Sequence, residues 1–112
     1  MSMTIDNQTW LIEAGDAIIK KEMRLGAASL TAIERLIHCL WVADYGMRNA
    51  GDLATAADVY PPFHKEALAL AKSLALSATA DAFSLPLDAF ESSYYERFDS
   101  ICDEIRTSET ST

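Results

Sequence analysis

Thr31-Ala32-Ile33-Glu34-Arg35-Leu36-Ile37-His38-Cys39-Leu40-Trp41 decides the class of fold. Thr31 followed three residues later by Glu34 reads as a capping box, in which each side chain takes up a backbone N–H that the first turn of a helix leaves unpaired. Ile33, Leu36, Ile37, Leu40 and Trp41 then recur at three- and four-residue spacing, the period of one buried helical face, with His38 and Cys39 at its flank. This helix should end between Tyr45 and Gly51, where Gly46, Asn49 and Gly51 supply residues that tolerate positive φ.

The same period recurs on both sides. Upstream, Trp10, Leu11, Ala14, Ala17 and Ile18 predict a helix over about 7–25, slightly weakened by Gly15 and stopped by Gly26. Downstream, a short turn or helix over 52–59 gives way to Pro61-Pro62, which breaks the chain and can open a helix running to about Leu76 on Phe63, Ala67, Leu70, Ala71 and Leu74. A short helical segment around 78–83 leads to Ser84-Leu85-Pro86. The last helix should span about 88–106, with Phe90, Tyr94, Phe98, Ile101 and Ile105 as its core stripe. No stretch alternates as a strand would. The expectation is an all-α, compact single-domain bundle of four to six helices over residues 1–106, with a disordered polar tail over 107–112.

Charge narrows the partners. The 112 residues carry a net charge of −8, and the acid is concentrated in the second half of the chain. Such a surface disfavours direct contact with nucleic acid, which requires clustered Lys and Arg, and favours a protein with a basic surface. No apolar stretch approaches the roughly 20 residues that span a bilayer, so no membrane partner is expected. The start has neither a basic nor an apolar leader region, and the only cysteines, Cys39 and Cys102, fall within apolar helical patterns and are expected as reduced thiols; a cytoplasmic location is the expectation.

On the last helix, Asp88, Glu96, Asp99 and Asp103 fall in one sector opposite the core stripe, at 100° per residue, and form a row about 22 Å long. Its acids at i,i+3 and i,i+4 lie about 5–6 Å apart, a spacing comparable to that of successive phosphates along one DNA strand. The row therefore reads either as a solvated helix face or as a partner-binding surface, with Glu91 and Tyr95 at its rim; tyrosine at a polar rim suits a protein interface.

Catalytic and metal chemistry find little to work with. His38 and His64 are the only histidines, and neither belongs to a His-x-x-x-His, His-Glu-x-x-His or Glu-x-x-His motif. There is no Cys-x-x-Cys and no glycine-rich phosphate loop. No enzyme, cofactor or metal is expected. The competing reading is a small enzyme or ligand carrier with a pocket lined by Trp10, Trp41 and Tyr94 and approached by His38 or His64. A further partner class is a second copy of the chain, where an exposed apolar helix face closes a homodimer.

The segment from Glu34 to Gly51, with its Leu40-Trp41-Val42-Ala43-Asp44-Tyr45 core, resembles the bacterial DNA-mimic-type domains of otherwise unknown function, in which a helix ending in a Trp-and-acid stretch runs into an Asn-Gly-Gly turn. The similarity extends through Glu66–Ala71 and Leu87–Glu96 and covers roughly residues 30–106. The family's Asn-Gly-Gly-Phe reads here as Asn49-Ala50-Gly51-Asp52, keeping Asn49 and Gly51 as the turn. The resemblance implies an all-α fold and an acidic protein that occupies a DNA-binding protein's site. An immunity-type protein neutralising a toxin nuclease is the alternative within the same binding class.

Overall fold

In the computed structural model, which describes residues 5–110, the capping box at Thr31 is formed: Thr31 Oγ1 accepts the Glu34 N–H at 3.2 Å and Glu34 Oε1 accepts the Thr31 N–H at 2.9 Å. The Thr31 N–H, ahead of the nearby Lys21, holds the Glu34 carboxyl below its ordinary range. The helix it opens, α2 (Ala32–Ala50), is the hub of the fold. Gly51 ends it at φ 75°, a left-handed turn natural to glycine, with its N–H on Met47 O.

Six α-helices and no strand make up the described residues: α1 (Asn7–Leu25), α2, α3 (Leu53–Val59), α4 (Phe63–Ser73), α5 (Ser77–Phe83) and α6 (Leu87–Thr110), with a 3-10 turn at Ala27–Ser29. The all-α expectation is met. None of these helices is long and apolar enough to cross a membrane. Packed against α2 are α1, α3, α4 and α6, while α5 bridges α4 to α6.

Two contacts show why the helices cross where they do. A Cβ on Gly15 would run into the Trp41 ring, so α1 approaches α2 at a position where any side chain would have to displace that ring. A Cβ on Gly46 would stand 2.7 Å from Ala56 N and Asp52 O, so α3 lies against bare α2 backbone there. Gly46 is thus a packing residue inside the helix, and the terminating turn falls to Gly51 alone.

Two boundaries differ from the sequence reading. Helix α4 stops at Ser73 rather than near Leu76. Ala75 takes φ 58°, its N–H meets Lys72 O at 3.1 Å, and the Leu76 N–H meets Ala71 O at 2.9 Å. That is a Schellman ending, with alanine where glycine is usual and with Leu76 buried behind it. Helix α6 runs on to Thr110, so the polar tail expected to be disordered from residue 107 is helical through Thr110; residues 111 and 112 lie outside the described residues.

The core joins Leu11 and Ile18 of α1 to Leu36, Ile37, Leu40 and Val42 of α2, and closes on Phe63, Phe83, Phe90, Tyr94, Phe98, Ile101 and Ile105. Phe83 and Phe90 meet edge to face at 4.7 Å between centroids. One acid enters this interior. Asp44 is 5% exposed and accepts from the Tyr94 hydroxyl at 2.7 Å and from Arg48 Nε at 3.0 Å, which satisfies a group that would be expensive to bury alone. Burial, and then the Asp44 carboxylate, push the Tyr94 phenol far up.

Candidate functional site

Helix α6 turns its apolar stripe inward as the period requires: Phe90, Tyr94, Phe98, Ile101, Cys102 and Ile105 are buried, while Asp88, Tyr95, Glu96, Asp99 and Asp103 are exposed. The helix therefore fixes the direction of the acidic row. The acids of α6 nevertheless do different work.

Glu91 and Glu104 are caps. Glu91 Oε1 accepts the Leu53 N–H at 2.7 Å, and together with Asp52, which accepts from Thr55 N at 2.8 Å, it closes the start of α3. Glu104 accepts from Ala78 N at 3.0 Å, Thr79 N at 2.8 Å and Thr79 Oγ1 at 2.7 Å, supplying the start of α5 with the acceptor that its own N-cap, Leu76, lacks. A helix N-terminus favours a carboxylate, so both pairs are electrostatically sound.

Asp99 and Asp103 share the Asn7 side-chain amide, at 2.9 and 3.1 Å, and so fasten the beginning of α1 to α6. Arg106 completes this clasp: it donates to Ile5 O at 3.0 Å and Asn7 Oδ1 at 2.8 Å and lies over the Trp10 ring at 5.4 Å. Both aspartates remain exposed. Asp88 meets only the Ala89 N–H, at 2.9 Å, and Glu96 is exposed at mid-helix.

Among the described residues, none of Asp88, Glu96, Asp99 and Asp103 forms an ion pair with a Lys or Arg. Four of the nine cations are held by other acids: Lys20 by Asp16, Lys21 by Glu34, Arg35 by Glu66 and Arg48 by Asp44. Tyr95, 53% exposed, sends its hydroxyl to Met47 O at 3.1 Å, and Arg48 packs over its ring at 5.1 Å. The rim tyrosine is thereby held in one orientation beside the row.

The rings named for a ligand pocket sit in separate settings. Tyr94 is fully buried on Asp44, Trp10 lies under Arg106, and Trp41 stacks on Tyr45 at 5.6 Å beside Gly15. His64 stands among Phe63, Phe83 and Phe90, its Nε2 buried without a hydrogen-bond partner among the described residues; burial lowers its pKa against the opposing pull of the Leu85 backbone. His38 does border a cleft of about 350 Å³, with Glu22, Arg35, Tyr60 and Glu66. In it Glu66 is engaged by the Tyr60 hydroxyl at 2.7 Å, by Arg35 at 3.5 Å and by the Cys39 thiol at 3.5 Å. The Glu66 hydrogen bond, with burial, pushes the Tyr60 phenol up to about 12, and burial keeps Cys39 and Cys102 protonated. Both cysteines are free and buried, so neither is a nucleophile as it stands. Among the described residues no three His, Cys, Asp or Glu side chains gather as a metal site.

Sequence reasoning missed the Asn7 clasp, the Asp44–Tyr94–Arg48 network and the two tertiary caps. Each joins residues tens of positions apart, and no periodicity records such a pairing. A visible signal was overlooked on α1, where Ile12, Ile19 and Met23 repeat outside the main stripe.

Comparison of the chain with protein-family models, with curated proteins and with solved structures found no match.

Proposed function

We propose that this chain is an acidic, non-enzymatic binding domain whose α6 face docks on a basic surface of another protein, with a surface built to hold nucleic acid as the sharpest case. The observation that carries the reading is the set Asp88, Glu96, Asp99 and Asp103, exposed on one rigid helix and unpaired with any Lys or Arg among the described residues. Tyr95, with Arg48 behind it, adds an aromatic contact at the edge.

Charge on a helix face is presented without reorganisation, so association should be fast and salt-sensitive. The test is capture of the partner followed by titration with salt. Reversal at Asp99 and Asp103 would also release Asn7, so the informative variant is Asp88→Lys with Glu96→Lys, which leaves the clasp intact. Weakening of at least tenfold, with a shallower salt slope, is expected. Binding that is indifferent to both salt and this variant rules the reading out.

A further inference from the structure

Among the described residues, half of the large apolar side chains left exposed belong to α1 and its lead-in: Ile5 at 42%, Ile12 at 50%, Met23 at 82% and Leu25 at 57%. Ile12, half-buried Ile19 and Met23 fall within a sector of about 40°. This strip is separate from the Leu11–Ile18 face that enters the core. Its Ile12 borders a cleft of about 340 Å³ with Trp41 and Tyr45 of α2, the latter 42% exposed, and with the polar Gln8, Asp44, Arg48 and Asn49. An apolar line beside two stacked aromatic rings is what the centre of an interface offers.

The charges beside the strip say what fits it. Glu13 and Asp16 are exposed in the N-terminal half of α1, and Lys20 and Arg24 in the C-terminal half. This flank carries no net charge, so it does not call for a basic partner as α6 does. It is complementary to itself when reversed. We infer that a second copy of this chain docks here, its α1 antiparallel to the first, closing a twofold dimer. In that arrangement the acidic half of each α1 meets the basic half of the other, while a parallel pair would set acid on acid. The Asp16–Lys20 pair, at 2.9 Å with both side chains largely in water, is weakly held and exchanges onto the second copy. Because Asn7 ties the start of α1 to α6, the dimer carries its two acidic α6 faces at opposite ends of the paired helices.

Sedimentation equilibrium of the full chain tests this. The wild type should be a dimer, and Ile12→Asp should raise its dissociation constant about 100-fold or more, while Val59→Asp, at an exposed apolar residue on α3, should not. Glu13→Lys with Asp16→Lys, and separately Lys20→Glu with Arg24→Glu, should each be monomeric alone and should dimerise when mixed, which also shows that both variants are folded. A wild type that stays monomeric at the highest soluble concentration, or a dimer untouched by these changes, overturns the inference. None of these substitutions lies on α6, so salt-dependent capture of a basic partner reads the other proposal independently.

Discussion

His64 is held where a neutral ring is preferred. Its Nε2 is buried without a hydrogen-bond partner among the described residues, and burial lowers its pKa below the ordinary 6.5. The unfolded chain therefore takes up a proton first as pH falls. The stability contributed by the neutral ring is fully present above the unfolded pKa and is lost as pH drops through it toward the folded value. Urea midpoints between about pH 7.5 and 5.5 should decline more steeply in wild type than in His64→Phe; parallel curves would contradict the assignment. At Asp44, Tyr94→Phe removes one of two donors to a buried carboxylate and should destabilise by about 1–3 kcal/mol in chemical denaturation. Gly46→Ala should destabilise by a similar margin, about 1–3 kcal/mol, because its new methyl meets α3 backbone that cannot step aside without moving the helix.

The helices were largely legible because their cores obey one period and their ends carry capping chemistry. Asp6, Thr31 and Asp52 each accept the N–H of the residue three positions on, and such local signals can be read from neighbouring residues. What escaped is long-range. The start of α5 is capped by Glu104 of α6, and the end of α4 uses Ala75 in a left-handed turn where no glycine signals it. Two outcomes follow. Glu104→Ala should cost about 1–3 kcal/mol and expose the α5 amides to hydrogen exchange before those of α2. Ala75→Gly should stabilise by up to about 1 kcal/mol, since glycine takes positive φ without a Cβ clash; a loss of stability would show that the turn is not the strained element.

Across the whole molecule, the net charge of −8 is divided among distinct tasks. Some acids hold lysines and arginines, Glu91 and Glu104 cap helices, and Asp99 and Asp103 hold Asn7 while staying open to water. The direction of the α6 row could be read from its period. Which of its members are also structural could not, because Asn7 lies 92 residues from Asp99. Asp88 and Glu96 are left as the acids that tie no second element to α6; Asp88 bonds only locally, to the Ala89 N–H at the start of its own helix. The decisive measurement is the affinity of the captured basic partner for wild type and for Asp88→Lys with Glu96→Lys across a salt series. The account predicts affinity that falls steadily with salt and is at least tenfold weaker in the variant; equal affinities for the two proteins, flat with salt, would contradict it.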